Sequence, residues 1–270
     1  MQGPFDPLQE TAITRAIMES FVEDFGNSLD LDCAIVGAGP SGLTAARLIA
    51  RQGFKVAVFE RELHVGGGMW AGGMLFPRIV IEPQARRLFD EIGVTLKEWK
   101  EGYLVADAVE AVARSTTAAL DAGALIWVGL NAEDVVIREE DRIAGLVINW
   151  HAVDEAGLHV DPMGVLARVV IDASGHDASI CRTVLRKVPG ARMDSPDGTV
   201  PGEKPMWATK GENVLVANTR EVYPGLIVAG MAANAVAGGE RMGAVFGGML
   251  LSGEKAAQLV VEKLSSPQDS

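Results

Sequence analysis

The chain has 270 residues, 48% apolar and 22% charged, a composition that supports one large globular domain or one domain with an inserted lobe. Thirty-six acidic residues against 24 basic ones leave a net charge of −12, which argues against nucleic acid and anionic membranes as partners, since both select a basic face. Two distant cysteines, Cys33 and Cys181, make neither a disulfide framework nor a zinc spacing, and an acidic N-terminus without an apolar core predicts no secretory signal, so a cytoplasmic chain is expected.

Asp6-Pro7 reads as a cap followed by proline at a first helical position. Ile13, Ile17, Phe21 and Phe25 then recur every four residues, so an amphipathic helix is predicted over 7–25, with residues 1–29 as helix plus linker. Such a helix either covers a sheet edge or reaches a neighbouring subunit. Cys33 to Val36 is an apolar run suited to a strand buried on both faces. Gly37, Gly39 and Gly42 follow with G-x-G-x-x-G spacing, then an Ala/Leu-rich helix over 43–51 that Gly53 stops. Gly37 permits a tight turn, Gly39 lets backbone approach a pyrophosphate, and Gly42 lets helix meet strand. The helix N-terminus offers free N–H groups to the phosphates. A second strand over 55–59 ends at Glu60, 23 residues after Gly37, close to the place of the acid that binds a ribose hydroxyl.

Five glycines within 66–73 imply close backbone approach, read as a second phosphate or ribose cradle. Helices are predicted over 83–92 and 108–120, and strands over 94–105 and 124–128. A hairpin of 133–137 and 143–150 is split by a charged turn. A strand over 168–172 and a helix over 177–187 come next, then an aperiodic loop over 194–212, strands over 214–217 and 225–230, and a closing helix over 242–264. Residues 265–270 form a polar tail. Although residues 222–239 lack charge, Pro224 and many small residues argue for strand plus loop and not a membrane span. The whole reads as one α/β domain over 30–264, a doubly wound Rossmann-like dinucleotide-binding fold of the flavin-reductase type with an inserted β-ribbon.

Of four histidines, two have suggestive neighbours. His159 and Asp161, two apart in an extended segment, share one face. His176 follows a buried strand, where ligands gather in open α/β sheets. One imidazole and one carboxylate suit a ferrous or other borderline divalent ion, and a pair of hydrogen-bonded loop histidines reads equally well from spacing. Arg241, in the glycine-rich 238–243 segment, suits a bidentate grip on a carboxylate or a surface ion pair with Glu240 or Glu254.

Together these stretches resemble the thiazole synthase family of thiamine biosynthesis, in its sulfide-dependent adenosine diphosphate thiazole synthase branch. The resemblance runs from about residue 30 to 262. It rests on VGAGPSGLT at 36–44, Glu60-Arg61, GGGMWAGGM at 66–74, HVDPM at 159–163, SGHDA at 174–178, GLIVAGM at 225–231 and GGERMGAVFGGMLLSG at 238–253. The resemblance implies that NAD is consumed as substrate, nicotinamide is released, glycine condenses with the ADP-ribose part, and sulfur closes a thiazole ring, giving an adenylated thiazole carboxylate. It implies nucleotide contacts from Gly37, Gly39, Ser41, Gly42, Glu60, Arg61, Gly68, Ala132 and Met231, and a hold on the glycine carboxylate by Arg241. It also implies Fe(II) bound by Asp161 and His176, in a homo-octamer whose metal site is completed between adjacent protomers. Family members that donate their own sulfur carry cysteine where this chain has His159, so external sulfide and multiple turnover are expected. His159 would then orient groups or shuttle protons beside the metal, and Cys181 reads as a core thiol.

Three rivals share parts of this pattern. An FAD-dependent oxidoreductase of the same fold would hold flavin, and a non-catalytic NAD- or metal-binding protein would release no nicotinamide. A ribose bisphosphate isomerase would need neither the metal pair nor Arg241 beside a glycine pocket.

Overall fold

In the computed structural model, which describes residues 9–266, the chain forms a mixed α/β body. The parallel core contains β1 (Asp30–Val36), β2 (Val56–Glu60), β6 (Leu125–Val128), β9 (Met163–Asp172) and β11 (Leu226–Val228), in the spatial order β11-β9-β1-β2-β6. The buried run Cys33 to Val36 sits centrally, paired in parallel with β2 on one side and β9 on the other. Its burial on both faces is why the sequence there is continuously apolar instead of alternating. β10 (Glu221–Tyr223) closes one edge, antiparallel to β11.

α2 (Pro40–Ala50) and α9 (Gly247–Ser265) cover one face through a core that includes Leu43, Ile49, Ala256 and Val260. The opposite face carries the ribbon of β7 (Leu130–Ile137) and β8 (Ile143–Trp150), which joins the sheet through the first half of β9. A small antiparallel sheet of β3 (Arg78–Ile81), β5 (Leu104–Asp107) and β4 (Leu96–Glu98) has its own core with α3 (Arg86–Asp90) and α4 (Ala108–Asp121).

α1 (Glu10–Gly26) docks by its last turns only. Phe21 and Phe25 stack at 5.3 Å and meet the edge of Trp127, whereas Ile13 and Ile17 stay exposed. The Asp6-Pro7 cap lies outside the described residues. No described helix is long and apolar enough to cross a membrane.

Several expectations are corrected. Residues 214–217 belong to the helix α7 (Ala208–Asn218), not to a strand; the short apolar run was ambiguous, and only Gly211 and Leu215 of this helix are buried. The 94–105 strand is a hairpin, β4 and β5, broken at 100–102. The closing helix starts at Gly247, because residues 244 to 246 run beside β3, with the Phe246 N–H donating to Val80 O at 2.9 Å. Within 222–239, residues 231–237 form the short helix α8 (Met231–Ala237), entered through Gly230 at φ +62°. The 194–207 segment is a pinned strap, with the Asp194 N–H on Val222 O, the Gly202 N–H on Ala235 O and the Lys204 N–H on Gly239 O.

Candidate functional site

A cavity of about 970 Å³ opens at the carboxyl ends of β1, β2, β9 and β11, at the upper end of the range for small-molecule sites. Gly37, Gly39, Ser41, Glu60, Arg61, Gly68, Ala132, His176, Met231 and Arg241, scattered over some two hundred residues of sequence, all line it. Gly42 lies behind the turn. A Cβ there would stand 2.0 Å from the Gly37 carbonyl oxygen, and one on Gly37, at φ +99°, would stand 2.5 Å from Ala173 O. By contrast, nothing lies within 4 Å of a Cβ placed on Gly39. The first and third glycines are therefore demanded by the fold, and the second leaves room for a ligand to approach the N-terminus of α2. The 66–73 glycines serve the same turn: the Gly66 N–H donates to Ala38 O at 2.7 Å, and a Cβ on Gly67 would press on Gly39.

Glu60 is buried at the tip of β2. One carboxylate oxygen accepts the Ala38 N–H at 2.8 Å and the other the Glu62 N–H at 3.0 Å, which fixes the group while leaving lone pairs for a ligand hydroxyl. Ser41 lines the cavity and also braces its wall. Its hydroxyl donates to Met249 O at 2.8 Å and ties α2 to α9. Arg61 leans towards Asp177, 3.8 Å away.

Arg241 is exposed at the cavity and has neither of the ion-pair partners weighed for it. Glu240 is held by Lys210 at 2.5 Å and Glu254 by Arg87. The Arg241 backbone is anchored instead, its N–H donating to Lys204 O and its carbonyl accepting the Trp207 N–H, both at 3.1 Å. A guanidinium with no ion-pair partner among the described residues, on a fixed backbone at a cavity wall, is equipped to grip a carboxylate.

His176 owes its place to Asp172, the fully buried last residue of β9. Asp172 Oδ1 accepts the backbone N–H and the hydroxyl of Ser174. Oδ2 accepts the N–H groups of Ile180 and Cys181 at the start of α6 (Ser179–Lys187). Four donors on one carboxylate satisfy its burial and set the 173–178 turn. The turn holds Ala178 at φ +42° and presents His176 to the cavity.

His159 and Asp161 are elsewhere. Both are exposed on the segment just before β9. Nine steps of about 3.3 Å along that strand separate its ends by about 30 Å. Within one chain Asp161 and His176 therefore cannot share an ion, and among the described residues no three His, Cys, Asp or Glu side chains cluster as a metal site. Both thiols are buried, and burial pushes each above the usual thiol range, which disfavours the reactive thiolate.

The Thi4 family matches residues 14–246. This chain belongs to the Thi4 family. It is 56% identical over 262 residues, 97% of this chain and 99% of the relative, to a thiamine thiazole synthase of Methanothrix thermoacetophila. A protein of the same description from Pyrococcus horikoshii is 49% identical, with 96% and 100% covered. The crystal structure of Thermovibrio ammonificans THI4 superposes with a TM-score of 0.92 at 48% identity, covering 97% of this chain and all of that one. The Rossmann-like arrangement of this Thi4 chain is thus shared with a solved relative.

Two residues the sequence reading missed stand behind the cavity wall and set the place of His176. Asp172 carried a usable signal, an acid closing an apolar strand before the small-residue turn Ala-Ser-Gly. Glu203, whose Oε2 lies 2.6 Å from His176 Nδ1, carried none, because it sits in an aperiodic stretch and reaches its partner only through the fold.

Proposed function

We propose that this chain makes the thiazole precursor of thiamine from NAD, glycine and sulfide, with Fe(II) and release of nicotinamide, over multiple turnovers. One observation carries the reading: a dinucleotide turn, a fixed acid, an arginine and a histidine converge on one cavity. In this reading the 37–42 turn and the start of α2 hold the pyrophosphate, Glu60 takes a ribose hydroxyl, and Arg61 flanks the nucleotide. Gly68, Ala132 and Met231 line its pocket. Arg241 clamps the glycine carboxylate, so the amine is held beside the opened ADP-ribose instead of arriving from dilute solution.

The fit of a metal rests on His176, whose Nδ1 is anchored and whose ring faces the cavity. One ligand is not a site, and in this reading the second is Asp161 of a neighbouring copy. The exposed apolar Leu158 and Val160 beside Asp161, together with Ile17, Met18 and Val22 on α1, supply surface for such a neighbour. When bound there, the ion supplies sulfide at close range. In this reading sulfur comes from outside the chain, which the burial of both cysteines supports. His159, beside Asp161, orients groups or relays protons near the ion.

The test is anaerobic incubation with NAD, glycine, sulfide and ferrous iron, followed by mass analysis. An adenylated thiazole carboxylate and free nicotinamide, in excess of enzyme and dependent on sulfide, are expected. NAD left intact, or a purified protein yellow with flavin, overturns the reading.

A further inference from the structure

We infer that Glu203 is a positioning residue that fixes the tautomer and the direction of His176, so that the ring turns a bare Nε2 to the cavity. The inference rests on the metal reading above for its purpose, but on the chain's own geometry for its content.

Glu203 does not line the cavity; it stands behind the imidazole. Its side chain is 11% exposed, and Oε2 lies 2.6 Å from His176 Nδ1. A carboxylate only accepts, so Nδ1 carries the hydrogen. In the neutral ring the lone pair then falls on Nε2, on the far side from Glu203. In water the neutral imidazole favours the opposite tautomer, with hydrogen on Nε2 and no lone pair there to offer. The other Glu203 oxygen, Oε1, is buried without a hydrogen-bond partner among the described residues, so none of them competes with the ring for the carboxylate.

Both ends of this contact are anchored independently. His176 rides on the turn that Asp172 organises. Glu203 lies between two backbone pins, Gly202 N–H to Ala235 O at 3.0 Å and Lys204 N–H to Gly239 O at 2.8 Å. The next residue, Lys204, accepts the Arg241 N–H, so one strap sets both the candidate metal ligand and the candidate carboxylate clamp. A carboxylate behind a ligating histidine is how proteins fix ring orientation and raise ligand basicity, and losing such a partner weakens metal binding about 10- to 100-fold.

The experiment uses the full chain as wild type, E203A and E203Q. Nitrogen-15 spectra of the metal-free protein, with the His176 signals assigned by their loss in H176Q, read the tautomer. Anaerobic titration with ferrous iron reads affinity, and NAD binding serves as the control. Wild type is expected to show hydrogen on Nδ1 and a bare Nε2. E203A should move hydrogen to Nε2 and weaken iron binding about 10- to 100-fold with NAD affinity unchanged. E203Q keeps the side-chain volume and one acceptor oxygen, so it folds and should fall between the two. A wild-type ring with hydrogen on Nε2, or a tautomer unmoved in both variants, overturns the assignment. If wild type binds no iron yet its tautomer shifts in E203A, the metal reading falls and the positioning role is upheld.

Discussion

Glu82 and Glu212 set up a pH-dependent stability at the start of α9. Glu212, on α7, accepts the Gly248 N–H, and Glu82, just after β3, reaches the same point; each keeps one buried oxygen, Oε2, without a partner. Two carboxyls meeting in a poorly hydrated spot resist ionising together. Burial first, and then the Glu82 charge, push Glu212 up to about 8 from 4.5, and burial also raises Glu82. The folded chain therefore keeps a proton that the unfolded chain releases above pH 4.5. Stability contributed by that proton is complete below pH 4.5, declines as pH rises, and is gone above about 8. The shift of 3.5 pH units corresponds to at most about 5 kcal/mol. The pair is only partly buried and can draw in water, which screens it, so a smaller effect of about 2 kcal/mol is expected. Glu212→Gln replaces the shared proton with a permanent amide donor to Glu82. Urea unfolding at fixed protein concentration between pH 5 and 9 should show wild type losing about 2 kcal/mol more than the variant across that range. Parallel pH profiles for the two proteins would refute the shared proton.

Asp172→Asn keeps one acceptor oxygen but surrenders the other, stranding N–H groups at the head of α6; unfolding experiments should show a loss of about 2–4 kcal/mol. Arg241→Lys removes the two-pronged grip and should raise the glycine KM about tenfold or more while calorimetry finds NAD binding unchanged. Asp161→Ala and His176→Ala should each abolish iron binding and sulfide-dependent product together, whereas His159→Ala should slow turnover with NAD still bound. Metal analysis alongside product assays separates these outcomes, and wild-type product rates in either of the first two variants would exclude the metal role.

The parts legible in the sequence were those whose chemistry is local. The G-x-G-x-x-G turn was readable because its first and third glycines answer to contacts within the β1–α2 unit and the adjoining β9 turn, where a Cβ has no room. The buried strands were readable because burial on both faces leaves a continuous apolar run. Ile13, Ile17, Phe21 and Phe25 gave the periodicity of α1, but not that only the last two would find a partner in Trp127. The 214–217 run was misread because four apolar residues carry no period.

What the tertiary structure alone decided is who meets whom. Glu203 and His176, 27 residues apart, touch only because the 194–207 strap is pinned across α8 and the Arg241 loop. Asp161 and His176, 15 residues apart, are held at opposite ends of β9 because a strand is a rigid spacer of about 3.3 Å per residue. Residue type and spacing determine what a side chain can do; the path of the backbone through the sheet determines which other side chains are there to do it with.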